Sequence, residues 1–532
     1  MKTIKHILLT LLMGTILINC SNFDELNKDP NKSTNLDPNL QIATVQMRQS
    51  ENHQEWHRYL CYPGGFMHQW CGDWATVNYG GHCTKSSAFT EQLWMAYYPY
   101  IIRDVVDVVQ RTKNDPKFVN VNAAARILKV ENFLKLTDYY GDIPYFNAGM
   151  GYYTGDYNEA YDNQEDIYND FFKELTEAAA NLDPDGDLLT HDLYYNGDIA
   201  KWKRFANSLH LRIAMRLIKI NPEKARTEAE KAIAAGVLTS NADICMVKHE
   251  NYQNPGSGEG SGNGLATRLS NQGDAINNAF RLSTELISAM EDRKDPRILY
   301  YGGVYFNNGA GTEITQAVKT ALGNCPYQYM TFPAQYFSYE DWRPAIDIVV
   351  NGETWSVPHS FQRMQPSKLI TRFDAPFIHM TYAEVEFLLA EAAYRGWNAG
   401  GSSAESHFEK ALEAAVRQWS VFGISNFNEA AIADFISFNK NNFAGNELEE
   451  INTQLWILHF LDPFETWANW RRTGIPEITF IVWSDNASNG KIPRRMEYPL
   501  EEQTKNSANY QEAVSRMGGA DDWTNRIWWD KE

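Results

Sequence analysis

With 532 residues, 43% of them hydrophobic, the chain can bury a large core, either as several domains or as one domain elaborated by long loops. Its formal charge of −19 repels phosphate backbones and anionic lipid faces, which argues against nucleic acid as a partner. Six cysteines without CxxC or Cys/His spacing signal neither a disulfide scaffold nor a zinc site.

The chain opens with Lys2, Lys5 and an apolar run from Ile7 to Ile18 that ends at Cys20. A positive start and an apolar stretch of secretory length predict a cleaved export signal over 1–19, because a membrane span needs about 20 apolar residues. Leu17-Ile18-Asn19-Cys20 resembles a bacterial lipobox, whose cysteine takes a lipid and becomes the new N-terminus; Asn19 stands where Gly, Ala or Ser is usual. Cleavage near Cys20 without a lipid is the alternative. Multiple acyl chains anchor stably where one is marginal. Residues 20–38, polar and carrying Pro30 and Pro38, read as a lipidated tether. Loss of Lys2 and Lys5 takes the charge to −21. Of the five later cysteines, Cys61, Cys71 and Cys83 leave a pair open, but all five read better as small buried hydrophobes.

Phe, Tyr and Trp make up 13% of the chain, with 16 Trp and 28 Tyr, and such rings offer flat apolar faces that suit sugar stacking as well as a core. The best local candidate for a glycan contact is Gln69-Trp70-Cys71-Gly72-Asp73-Trp74, continuing to Asn78-Tyr79-Gly80-Gly81. Trp70, Trp74 and Tyr79 interleave there with Asp73 and Asn78 in a Gly-punctuated loop, so stacking platforms and hydroxyl-reading groups come together. Packing of these rings inside the loop is the equal alternative. Helical periodicity dominates from Leu40 onward. Ala124, Ile127, Val130 and Leu134 share a face over 122–138, and Ile167, Phe171, Leu175 and Ala178 share one over 165–182. Asp183-Pro184-Asp185-Gly186-Asp187 has alternating oxygens suited to a structural calcium ion but lacks the Gly and terminal Glu of an EF-hand, so a turn or helix exit is expected and no cofactor is predicted.

Helices follow over 199–217 and 223–235, the second stopped by Gly236. A Gly/Ser-rich loop over 251–264 leads into an irregular stretch to about residue 372, and long loops on a rigid scaffold are where binding sites sit. Two weaker glycan candidates lie in it: Trp342 and Arg343 in Tyr339-Glu340-Asp341-Trp342-Arg343 with Trp355, and Tyr300, Tyr301 and Tyr305 beside Asn307 and Asn308. Helices over 382–395 and 402–419, joined at Gly396 and lined with Ala, look like a tetratricopeptide-type hairpin. Trp202, Trp419, Trp456 and Trp467 fall in helical patterns and belong to the core. There is no GxSxG elbow, HExxH helix or P-loop, so no catalytic residue is assigned and the chain is not read as an enzyme.

Asp138-Tyr139-Tyr140-Gly141-Asp142-Ile143-Pro144-Tyr145 carries a family resemblance, together with Tyr161-Asp162-Asn163-Gln164, Asp295-Pro296-Arg297, Tyr382-Ala383-Glu384 and Trp470-Arg471-Arg472-Thr473-Gly474-Ile475-Pro476. With Pro493-Arg494-Arg495-Met496, Tyr498-Pro499, Asn506 and Tyr510, their order resembles the SusD/RagB family of Bacteroidetes surface lipoproteins across the whole mature chain. Read from the residues alone, these strings are structural: Asp138 and Asp142 can bond backbone amides, and Arg471 and Arg472 can pair carboxylates.

The resemblance implies a mostly α fold: a tetratricopeptide-like helical scaffold with a loop-rich ligand-binding lobe. The expected division is one domain over 39–532, with hairpins over 39–245 and 376–425 and loop-rich regions over 246–375 and 426–532. The implied function is a lipid-anchored, surface-exposed outer-membrane protein that binds oligo- or polysaccharide without cleaving it and delivers it to a SusC-type TonB-dependent transporter. Peptide cargo, as in RagB, is the alternative, and a surface glycosidase is the more distant one.

Overall fold

The computed structural model describes residues 36–51, 58–71, 76–252, 261–269, 280–303, 346–350, 353–357, 365–367, 369–480 and 482–532. Among them the fold is mostly helical. From residue 38 to 235 run α1 (Pro38–Arg48), α2 (Arg103–Thr112), α3 (Val119–Tyr140), α4 (Gln164–Asn181), α5 (Ile199–Arg216) and α6 (Pro222–Ala235), each packed on the one before it. A second succession holds α7 (Tyr382–Tyr394), α8 (Ala404–Arg417), α9 (Glu429–Phe443), α10 (Glu447–Leu458) and α11 (Pro463–Thr473), packed in the same stepwise way. Helix α5 touches both α7 and α11 and so joins the two successions. The chain closes with α12 (Ser507–Arg516). The predicted hairpin over 382–419 is α7 and α8, turned at Gly396.

The starts of these helices are written in short polar side chains, which satisfy amides that have no partner within the helix. Asp37, Asp198, Asn221, Thr381, Ser403 and Asn428 each accept from an amide of the first turn that follows them. Helix α3 has no such residue before it. Asp187 caps it from a distance, accepting from Asn120 N at 2.6 Å and Val121 N at 3.1 Å. Asn120 returns the contact by donating to the carbonyls of Asp183 and Asp187 at 2.8 and 2.7 Å. The acidic 183–187 turn is thus a clamp on the longest helix. Asp187→Ala should cost about 1–2 kcal/mol, read as a lower denaturation midpoint.

Strands are few and short. β1 (Trp70–Cys71), β2 (Cys245–Val247), β3 (Arg281–Leu282), β4 (Gly302–Gly303), β5 (Ile346–Val350), β6 (Glu353–Val357), β7 (Gln365–Pro366) and β8 (Phe377–Met380) form antiparallel pairs β1–β3, β2–β8, β4–β7 and β5–β6. The Gly/Ser-rich 251–264 loop lies largely outside the described residues. One expectation is corrected: 426–532, read as loop-rich, carries α9, α10, α11 and α12.

The core is aromatic and polar at once. Trp202, Trp419, Trp456 and Trp467 are buried, as their helical positions predict. So are Cys61, Cys71, Cys83 and Cys245, and Cys71 Sγ donates to Leu282 O at 3.3 Å. Between α3, α5, α7 and α11 lies a chain of buried charges. Arg212 holds Glu384 through two bonds of 2.6 Å, and Arg216 holds Asp138 at 3.2 Å and also Glu465. Arg472 holds Glu391 through two bonds of 2.7 Å while also donating to Asn452 and Asn469.

The family strings therefore do structural work. Asp142 accepts from Gln164 N at 3.0 Å, whereas Asp138 takes Trp529 Nε1 at 2.8 Å and the Tyr168 hydroxyl rather than backbone amides. The C-terminal string folds back on the first one: Met496 N donates to Tyr139 O at 2.8 Å and the Tyr498 hydroxyl to Asp142 O at 2.7 Å. Arg472 pairs a carboxylate as expected, but Arg471 does not. Its guanidinium donates to the carbonyls of Asp138 and Arg494 at 2.6 and 3.0 Å and lies over Trp467 at 3.9 Å, and burial pushes its pKa down to about 10.

Candidate functional site

The first predicted contact, Trp70, is inside the core and is corrected as a ligand platform. It is 0% exposed, its backbone pairs with Leu282, and its ring stacks on Phe460 at 4.3 Å and 14°. Phe460 also stacks on Tyr301 at 4.7 Å and 17°, so rings from two of the predicted clusters spend their faces on one core phenylalanine. The cause is that β1 pairs with β3 while α10 and the turn after it close over the other side; Trp456 Nε1 donates to Met67 O at 3.0 Å. Tyr79 is half-buried, edge-on to Phe89 at 4.7 Å. Tyr300 is half-buried against Trp419. Cys20, Asp73, Trp74, Tyr305, Asn307, Asn308, Trp342 and Arg343, and the side chains of Asn78 and Trp355, lie outside the described residues.

Two of the most exposed aromatic rings among the described residues lie elsewhere, at a cleft of about 510 Å³. One wall is Trp94 and Met95, from the short helix Gln92–Ala96, with Tyr98 in the turn that follows. The loop over 144–159 forms the second wall and the segment from Pro499 to Asn506 the third. Trp94 and Tyr98 pack together at 4.5 Å, and the Tyr98 hydroxyl is fixed on Pro144 O at 2.7 Å. Tyr152 and Tyr157 stand at the mouth, 87% and 78% exposed.

The sequence Gly151-Tyr152-Tyr153-Thr154-Gly155-Asp156-Tyr157 sets this posture. A Cβ on Gly151 would lie 2.5 Å from Tyr157 Cε1, so only glycine lets that ring rest on the backbone. Gly155 reverses the chain at a φ of 75°, which presents Tyr152 and Tyr157 on the same turn. The turn is tied to the third wall: Asn506 donates to Glu159 O and Asn509 to Asn158 O, both at 2.9 Å. Tyr153 is held from outside the cleft, its hydroxyl donating to Asp107 at 2.6 Å.

The polar groups of the cleft are mainly carboxylates. Glu502 accepts the Tyr161 hydroxyl at 2.8 Å and the Asn506 amide at 3.1 Å, and Glu501 pairs with Lys505 at 2.9 Å. Arg103 is taken by Asp104 at 2.7 Å. Asp156 takes the Asn158 amide at 3.0 Å. Partial burial and the nearby Asp156 and Asp162 push the Glu159 carboxyl above its ordinary range. Rings with carboxylates and amides between them can stack a sugar and receive its hydroxyl hydrogens. Among the described residues no group of three or more His, Cys, Asp or Glu is placed to hold a metal ion.

Residues 30–499 match the family described as SusD-like, starch-binding and associating with the outer membrane. The chain belongs to the SusD-like family. Solved SusD-like structures agree in fold. A chitin-binding protein is 35% identical with a TM-score of 0.78, over 93% of this chain and 100% of the other. A SusD-like protein of Bacteroidetes, AC2a, is 31% identical with a TM-score of 0.82 over the same shares. A chitin-binding SusD homologue from Flavobacterium johnsoniae is 25% identical with a TM-score of 0.64, over 93% and 98%. No curated protein matches the chain. Among the described residues no helix is long and apolar enough to cross a membrane.

Sequence reasoning missed Tyr152 and Tyr157. The signal was available, because residues 151–157 show the same alternation of glycine, ring and polar group that singles out 69–81. Among the described residues of the two segments, Trp70 is buried whereas Tyr152 and Tyr157 stand in solvent.

Proposed function

We propose that this SusD-like protein, anchored in the outer membrane through a lipid on Cys20, captures oligo- or polysaccharide without cleaving it and passes it to a SusC-type TonB-dependent barrel. The observation that carries the reading is the pair of exposed tyrosine faces at the mouth of the 510 Å³ cleft. Family membership and two chitin-binding relatives supply its context. Tyr152 and Tyr157 provide stacking area, Trp94 and Tyr98 shape one wall, and Glu502 reads hydroxyls. The volume lies within the roughly 300–1,000 Å³ of small-ligand sites. A complex of about micromolar to millimolar dissociation constant, roughly 4–8 kcal/mol, needs only two or three ring contacts with hydrogen bonds, and release to a transporter favours that range.

Asp73, Trp74 and Asn78, and as a separate candidate Trp342 and Arg343, remain proposed glycan contacts. Affinity electrophoresis in soluble polysaccharides separates them from the tyrosine pair. Tyr152→Ala with Tyr157→Ala should weaken retention by about tenfold or more, with an unchanged melting temperature because both rings are exposed. Full retention in that variant, with loss in Trp74→Ala, would move the site away from the cleft.

A further inference from the structure

We infer that the saccharide taken by the 510 Å³ cleft carries protonated amines, so that its preferred ligand is an amino-sugar oligomer with free amino groups. The inference rests on the reading of the cleft as the glycan site and adds the charge of the ligand. Four carboxylates line it, those of Asp156, Glu159, Glu501 and Glu502, against the single lining guanidinium of Arg103. Arg103 is engaged by Asp104, and Lys505 answers Glu501 alone. Glu502 is met by a hydroxyl and an amide, both neutral. Asp156 receives a backbone amide. The negative charge of three carboxylates therefore has no cation among the described residues beside it; partial burial first, and then repulsion from Asp156 and Asp162, hold the Glu159 carboxyl above its ordinary range.

An incoming cation relieves that repulsion, and the rings around it favour the same charge. Tyrosine faces attract ammonium groups through their quadrupole, and Tyr152 and Tyr157 are exposed at the mouth. A sulfated or uronic-acid polymer would meet like charge, and a neutral sugar would leave the carboxylates uncompensated. A lysine-rich peptide matches the charge but brings a thin flexible stem in place of a flat ring. A pyranose with an ammonium substituent supplies both the stacking face and the cation.

The test is calorimetric titration of the full-length protein in mildly acidic buffer with a fully de-N-acetylated glucosamine oligomer, its N-acetylated counterpart of equal length, and an oligolysine of equal charge. The expected result is a glucosamine oligomer bound at least tenfold more tightly than either other probe. Asp156→Asn with Glu159→Gln should weaken the glucosamine oligomer at least tenfold more than the N-acetylated one and so remove the preference, and Tyr152→Ala with Tyr157→Ala should remove binding of both sugars. Equal or tighter binding of the N-acetylated oligomer overturns the amine assignment and leaves glycan capture standing. Failure of both oligomers overturns the amine assignment, while glycan capture is then decided by the affinity electrophoresis of the tyrosine variant. Oligolysine bound as tightly as the glucosamine oligomer, or amine binding that survives loss of both tyrosines, shows diffuse attraction to an acidic surface and overturns the proposal.

Discussion

Replacing Arg472 by methionine should lower folding stability by about 3–5 kcal/mol, the usual result of stranding one member of a buried ion pair. Arg472 and Glu391 are essentially inaccessible to solvent and meet through two bonds of 2.7 Å. Arg395 also reaches Glu391, but from a position open to solvent, so it compensates only in part. Asn469 would lose the donors that its side-chain oxygen accepts. Equilibrium denaturation of Arg472→Met beside Arg472→Met with Glu391→Leu resolves the cause. The double variant should recover much of the loss, since an apolar pair leaves no unpaired charge. A single-variant loss below about 1 kcal/mol would place this contact with ordinary surface pairs.

Acid should unfold the protein through the same network. Burial alone would raise the Glu391 carboxyl, but Arg472 and Arg395 outweigh it and hold the pKa at about 2. Glu384 is likewise held at about 2, with Arg212 overcoming burial. Each folded carboxyl then lies below its unfolded value, so the unfolded chain binds more protons as pH falls. The stabilisation is present above the ordinary carboxylate range, about 3 kcal/mol for each group, and is lost as pH drops from about 5 toward 2. Asp462 works the other way, because burial pushes its carboxyl up and its contribution is present at low pH and lost as pH rises. Denaturant midpoints should fall steeply below about pH 5, and a flat profile to about pH 3 would show that these pairs carry no net stability.

The sequence is legible where an unbroken apolar stripe runs along a helix and illegible where buried polar residues interrupt it. Helices α7 and α8 could be read from their spacing because Leu388, Ala392, Phe408 and Leu412 lie on facing stripes of the core. In α10 and α11 only Trp456 and Trp467 stand in a helical pattern, and the stretch around them reads as loop-rich. Asn452, Gln454, Glu465, Asn469, Arg471 and Arg472 are all buried there, so the polar positions that normally mark a solvent face mark an interior network. Gln454 meets Arg297 and Asn452 meets Arg472, partners 157 and 20 residues away that no local pattern exhibits. The site has the parallel difficulty. Trp70 and Tyr152 both sit in Gly-punctuated aromatic segments, yet the first is stacked under Phe460 and the second stands in solvent. What separates them is a strand pairing with residues more than 200 positions later.

The central claim is that the protein holds a saccharide and leaves it intact. Incubation of the full-length protein with chitin- and starch-derived oligosaccharides, followed over time for both bound ligand and newly formed reducing ends, tests it most directly. The account predicts saturable binding that depends on Tyr152 and Tyr157, with reducing ends constant throughout. Reducing ends that accumulate in proportion to protein, and stop when a cleft carboxylate such as Glu502 is replaced by glutamine, would contradict it.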